Sequence, residues 1–147
     1  MNFKQIKFAI SLFILLISTL SCKTRINQTK NNLQEGKWIT IDTLDYPYIS
    51  KGKYRRGKPI GTWTYINNNK LDRKEKYKKD KCLTMYYHPN GRIKQKGYTK
   101  ENETHWYYSG EWNYFDENGS KIRTNIYEKG NLIDSIMPKK DKKTVFK

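Results

Sequence analysis

The sequence predicts an all-β protein, an elongated single-layer meander of repeated β-hairpins, placed behind an N-terminal segment of a different kind. Three observations point there. Ala9 is the only alanine, whereas aromatic residues make up 14% of the 147 residues; alanine is the best helix former and aromatic side chains suit strands. Similar segments recur along the chain. Each holds apolar residues in alternation, bounded by Asn-rich pairs of the kind that reverse a hairpin. Hydrophobic residues amount to 35%, and part of these sit near the N-terminus. The remainder can bury only a thin core, which favours a single curved sheet or a very small barrel over a thick sandwich.

The N-terminal segment comes first. Lys4 and Lys7 precede a nearly unbroken apolar run, Phe8 to Ile17. A bilayer span takes about 20 apolar residues, so this run fits the core of a secretory signal peptide. It ends in Ser18-Thr19-Leu20-Ser21-Cys22, which resembles the lipobox of bacterial lipoproteins, with Ser21 as the small residue before the cut and Thr19 where leucine is preferred. The resemblance implies a signal peptide over 1–21, removed before Cys22. It also implies a diacylglycerol on the Cys22 thiol and acylation of the new N-terminus. Membrane lipid is then the first partner, and stable anchoring takes more than one chain. Lys23 is not the aspartate that retains enteric lipoproteins at the inner membrane, so the outer membrane is expected if the cell has two. Loss of 1–21 removes Lys4 and Lys7 and lowers the net charge from +16 to +14.

Residues 22–34 are polar and read as a flexible tether, 35–137 as the repeat domain, and 138–147 as a basic disordered tail carrying Lys139, Lys140, Lys142 and Lys143. Within the domain, Gly61-Thr62-Trp63-Thr64-Tyr65 is followed by Asn68-Asn69 and Tyr77. A second copy continues through Cys82 and Met85 to Tyr86-Tyr87, then Asn90-Gly91, Ile93 and Tyr98. A third runs from Gly110-Glu111-Trp112-Asn113-Tyr114 through Asn118-Gly119 to Tyr127 and Gly130. Gly36-Lys37-Trp38 opens a degenerate first copy. In this alignment Met85 stands for tryptophan, Cys82 matches Ile60, and Thr99 to Ser109 interrupts the array. Asn90-Gly91 and Asn118-Gly119 suit type I′ turns, with Asn68-Asn69 a weaker version. Trp63 and Tyr65 point to one face and Thr62 and Thr64 to the other, which predicts one aromatic, half-buried face and one wet, basic face.

These motifs resemble bacterial MORN-type repeats of the variant class over about residues 36–134. The matching residues are Gly61 to Tyr65, Tyr87-His88-Pro89-Asn90-Gly91-Arg92-Ile93, Phe115-Asp116-Glu117-Asn118-Gly119 and Tyr127-Glu128-Lys129-Gly130. The resemblance implies a hairpin meander used for contact rather than chemistry; some relatives carry antitoxin-like labels. It transfers no catalytic residue.

Sites for chemistry are few. His88 and His105 are the only histidines; His88 lies beside a turn and reads as solvated. No catalytic, metal or cofactor site is expected, and no cofactor. Cys82 is the only thiol besides Cys22 and reads as a small buried residue, so no internal disulfide follows if Cys22 is lipidated. Trp106, Tyr107, Tyr108 and Trp112 form the densest aromatic cluster and are the candidate contact surface for a protein or glycan. Nucleic acid is disfavoured by export, although lysines interleaved with aromatics suit single strands. The expected function is a non-enzymatic binding or scaffolding lipoprotein of the cell envelope. The alternatives are a toxin-neutralising protein and an envelope hydrolase or transferase using His105 and Trp106.

Overall fold

Alternating side chains and repeated turn residues lay this chain into one antiparallel meander. The structure, a computed structural model, describes residues 25–43, 46–102 and 105–139. The expected signal peptide, Cys22 and all of the expected tail beyond Lys139 lie outside the described residues. Ten strands follow one another: β1 (Gln28–Lys30), β2 (Leu33–Asp42), β3 (Tyr48–Arg55), β4 (Lys58–Asn67), β5 (Lys70–Lys78), β6 (Lys81–Tyr87), β7 (Ile93–Glu101), β8 (Trp106–Phe115), β9 (Lys121–Glu128) and β10 (Asn131–Ile136). They form one open sheet in sequence order, each strand antiparallel to the next.

The sheet begins earlier than the expected boundary at residue 35. β1 pairs with β2 through Gln28–Glu35, Thr29–Gln34 and Lys30–Leu33, within the stretch expected to be a flexible tether. Asn27 extends the pairing with its side chain. Its amide nitrogen donates to Ile39 O at 2.8 Å, and its Oδ1 accepts the Ile39 N–H at 2.7 Å. One amide thereby imitates the backbone of a neighbouring strand.

Two Gly-x-Trp segments shape the middle of the sheet. Gly61, Thr62 and Trp63 together face the single residue Gly52 on β3, a bulge of three residues against one. Gly110, Glu111 and Trp112 face Gly97 on β7 in the same way. Gly61 and Gly110 open the bulges with φ of 65° and 67°, a conformation that a Cβ disfavours. Each indole then lies on the glycine opposite. A Cβ built on Gly52 or Gly97 would fall among the ring atoms of Trp63 or Trp112. The indole nitrogens finish the contact, Trp63 Nε1 donating to Lys53 O at 3.1 Å and Trp112 Nε1 to Tyr98 O at 3.0 Å. Trp63, Trp112 and Cys82 are the buried hydrophobic residues of the described chain, so the core is thin, as the composition implies.

The register corrects three expectations. Glu75 lies opposite both Trp63 and Thr84, so Thr84 shares the tryptophan's face and Met85 takes the other. Tyr77 likewise lies opposite Gly61 and Cys82, which puts Cys82 in line with Gly61 rather than Ile60. The sequence alignment was therefore one residue out of step, and a one-residue slip exchanges the faces. The turns are also redistributed. Asn68 and Asn69 both have positive φ, 45° and 59°, and form the tight two-residue turn. At Asn90-Gly91 and Asn118-Gly119 only the glycines are left-handed. These belong to wider loops closed by His88 N–H to Arg92 O (2.8 Å) and Asp116 N–H to Ser120 O (3.0 Å). Finally, residues 99–109 do not interrupt the array. Thr99–Tyr108, Lys100–Tyr107 and Glu101–Trp106 are paired, so the extra residues there lengthen a hairpin.

Gly97→Ala is expected to drive a methyl into the Trp112 indole and destabilise the fold by about 1–3 kcal/mol, the usual range for overpacking. Denaturant titration followed by tryptophan fluorescence checks this as a lowered midpoint with unchanged slope.

Candidate functional site

Each face of a sheet collects alternate residues, and the pairings assign them. On the first face one file crosses the strands through Ser50, Tyr65, Arg73, Tyr86, Gln95, Tyr114 and Arg123. Beside it lie Trp63, Glu75, Thr84 and Gly97. Glu75 is a buried carboxylate in the midst of aromatic rings. Its Oε2 accepts hydrogen bonds from Tyr65 Oη and Tyr77 Oη, both at 2.7 Å, and its Oε1 is 3.4 Å from Arg73 Nη1. The Arg73 guanidinium lies 3.9 Å from the centre of the Tyr65 ring. Burial together with the Glu75 carboxylate pushes the Tyr65 and Tyr77 hydroxyls well above their ordinary range, so both stay protonated donors. The buried charge is satisfied on the spot, as burial requires.

The arrangement recurs on β8 and β9 with one change. Arg123 lies opposite Tyr114 and over its ring at 4.5 Å, Asn125 lies opposite Trp112, and Tyr127 lies opposite Gly110. Asn125 thus holds the place of Glu75. Its Nδ2 donates to Tyr127 Oη at 3.3 Å and its Oδ1 accepts from Ser135 Oγ at 2.9 Å. Arg73 Nε and Arg123 Nε are the buried side-chain polar atoms without a hydrogen-bond partner among the described residues. Both belong to guanidinium groups held over tyrosine rings, where the cation–π attraction takes the place of an acceptor. Hydrogen bonding thus consumes this face from within. It offers a scaffold of aromatic rings rather than a set of free reactive groups.

The opposite face carries lysines. Lys78, Lys81 and Lys100 stand directly opposite one another on β5, β6 and β7, and Lys74, Met85 and Lys96 make the neighbouring file but one. The ammonium groups of Lys81, Lys96 and Lys74 lie 5.3, 5.5 and 5.9 Å from the ring centres of Tyr98, Phe115 and Tyr87. Their stems cover apolar surface while the charges stay in water. A shallow hollow of about 400 Å³ opens here, lined by Thr62, Lys76, Lys78, Lys81, Leu83 and Tyr98 among others.

The four aromatic residues singled out in the sequence do not form one surface. Trp112 is 0% exposed and presents nothing to a partner. Tyr108 is stacked on it with centroids 4.0 Å apart. Trp106 packs edge-on against Tyr77 at 5.4 Å on the same face. Tyr107 pairs with Lys100 and turns to the lysine face. Sequence reasoning missed Glu75 and Arg73, whose signal was the Arg-x-Glu-x-Tyr spacing matched by Arg123-x-Asn125-x-Tyr127.

His88 is half-buried rather than solvated. Its Nε2 is 2.9 Å from Phe115 O, tying its loop to the next one. His105 sits in the connection between β7 and β8, at the other end of β7. Nine strand residues, about 30 Å, separate the two imidazoles along the sheet. No group of three or more His, Cys, Asp or Glu side chains able to hold a metal occurs among the described residues. Cys22 lies outside them. Compared with known proteins, the chain matches no family model, no curated protein and no solved structure.

Burial pushes the Cys82 thiol up to about 11, and the Tyr108 and Tyr114 hydroxyls up to about 12. Each folded value lies above the ordinary one. The associated stability is therefore full below about pH 9 and is lost as pH rises through the folded values. A denaturation midpoint that is flat to pH 9 and falls from there to pH 12 is expected, with the earliest part of the fall removed in Cys82→Ala. The Cys82 thiol should react with a thiol reagent only once the sheet is unfolded.

Proposed function

We propose that this chain is a membrane-anchored, non-enzymatic binding or scaffolding lipoprotein of the bacterial cell envelope, held by lipid on Cys22 and using a MORN-like repeat surface. The observation that carries this reading is the division of labour between the two faces. One is used up by its own aromatic and hydrogen-bond packing. The other displays lysine opposite lysine, as at Lys78, Lys81 and Lys100. Like charges placed directly opposite destabilise a sheet, so the arrangement suits a surface that works against an anionic neighbour.

Anchoring fits the same reading. The four residues after Cys22 lead to Ile26, which bridges to Lys37. Fully extended they reach about 14 Å, so lipid on Cys22 would keep the β1 side of the sheet beside the bilayer. Lysines close to anionic lipid contribute about 1 kcal/mol each, less with salt. The outer membrane is the proposed location in a cell with two membranes.

Metabolic labelling with a fatty-acid analogue tests the proposal. The natural chain is expected to take up label and fractionate with membranes, and Cys22→Ala to take up none. Equal labelling of the two, or a natural chain recovered in the soluble cytoplasm, would remove the lipoprotein reading.

A further inference from the structure

The register lays two files of side chains beside each other across the lysine face. One runs through Lys37, Lys53 and Ile60 and, past the bulge at Gly61, through Lys76, Leu83 and Tyr98. The other holds Ile39, Lys51, Thr64 and Lys74. Two hollows open among them. The first, of about 620 Å³, has Lys37, Lys51 and Lys53 around Ile39 and Ile60. The second is the hollow of about 400 Å³, with Lys76, Lys78 and Lys81 around Leu83 and Tyr98. Gly61 and Thr62 line both, so the hollows adjoin and make one trough over β2 to β7. These lysines are exposed, whereas Ile39, Ile60 and Leu83 between them are half-buried.

The trough is basic throughout. Lys51, Lys53, Lys76, Lys78 and Lys81 make no ion pair among the described residues, and no acid falls in either file. The acids nearby are engaged or stand aside. Glu35 Oε2 accepts the Arg56 N–H at 2.8 Å, and Glu101 is 3.6 Å from Lys58. Asp72 lies in the bulge of β5, and Asp80 in the turn between β5 and β6. Glu111, opposite Ile126, bounds the trough on the β8 side.

Ammonium groups select anions, and the recessed floor selects an apolar body between them. The hollows are centred two to three strands apart, roughly 10–14 Å, beyond the reach of one small anion. A bilayer surface meets the lysine heads without entering the recesses. A single nucleic-acid strand takes successive free rings on which bases stack. Tyr98 is the exposed ring of the trough, and the Lys81 ammonium stands 5.3 Å from its centre. A chain of acidic sugars offers carboxylates to the lysines, flat C–H ring faces to Ile60, Leu83 and Tyr98, and hydroxyls to Thr62 and Thr64.

We propose that this trough binds an acidic polysaccharide, with a sugar carboxylate among the lysines of each hollow and the rings between them on the apolar floor. The proposal rests on the binding reading and names its ligand.

The test uses the full chain in detergent and a fluorescently labelled oligogalacturonate. Anisotropy is expected to report binding of this chain, none of its methyl ester, which keeps the rings without the charge, and weakening with added salt. Lys53→Glu/Lys76→Glu, one lysine from each hollow, should weaken binding by about tenfold or more, the scale of two exposed charge pairs reversed. Lys53 lies opposite Lys37, so glutamate there relieves a like-charge contact and the fold is kept. An unchanged denaturation midpoint checks this, and Lys53→Gln/Lys76→Gln serves if the midpoint falls. Tyr98→Ser should weaken binding of oligogalacturonate and leave that of polyglutamate, which has no rings, where it was. Lys121→Glu/Lys129→Glu, the same change of charge away from the trough, should leave binding as it was. Cys22→Ala should bind as the natural chain does, so failure here is separable from failure of the lipid labelling. No binding of oligogalacturonate, equal binding of its ester, or binding indifferent to the Lys53 and Lys76 variants would overturn the proposal. So would tighter binding of polyglutamate, a single-stranded oligonucleotide or phosphatidylglycerol vesicles through the same lysines, because the face would then belong to an acidic protein, a nucleic acid or a membrane.

Discussion

An indole lying flat on a glycine backbone is the contact on which the rest of this sheet depends. A single layer has no second layer against which to bury its side chains, so its large residues must find cover within the sheet. Trp63 and Trp112 do so by folding down onto Gly52 and Gly97, where the missing Cβ leaves room for the ring. The left-handed glycines Gly61 and Gly110 make the bulges that aim them. The indole N–H then closes on the carbonyl that follows the glycine, so no polar group is left behind. Two glycines and a tryptophan in two strands thereby define each unit, closed by a backbone carbonyl that any residue can supply.

Once the tryptophans are seated, the remaining residues of that face have little freedom. Glu75 falls beside Trp63 and Asn125 beside Trp112. Each is surrounded by tyrosine hydroxyls, with an arginine spread over the tyrosine two residues beyond the tryptophan. The carboxylate and the amide solve the same problem in different ways. Glu75 accepts from two hydroxyls and forms an ion pair with an arginine, whereas Asn125 both donates and accepts. The polar network supplements a hydrophobic core that, among the described residues, is three side chains. The lysines have no place in such a face and are left to the other one, which alternation makes the exposed surface.

Much of this was legible in the residues themselves. The lack of alanine, the aromatic alternation and the recurring Gly-x-Trp-x-Tyr are local properties, and they led to a β-hairpin meander with one aromatic and one basic face. What was misread depended on pairing between strands. Met85 resembles tryptophan in size and lies near the right spacing, but a strand's face is set by its partner, and Glu75 pairs with Thr84. Asn90-Gly91 has the residues of a tight turn, yet His88 and Arg92 close the loop outside it. Trp106, Tyr107, Tyr108 and Trp112 cluster in sequence, but alternation and burial distribute them between two faces and a core.

The sequence by itself determined the class of structure, the repeated unit and the single residue, Cys22, whose neighbours suggest a covalent modification. These follow from composition and from residues within a few positions of one another. Only the tertiary structure decided which glycine receives each indole, which carboxylate is buried among tyrosines, and which lysines stand opposite one another. The glycine lies 11 residues before Trp63 but 15 before Trp112, because the second hairpin is longer. No fixed spacing could have revealed that contact. The pairing of strands creates it, and with it the two faces of the sheet.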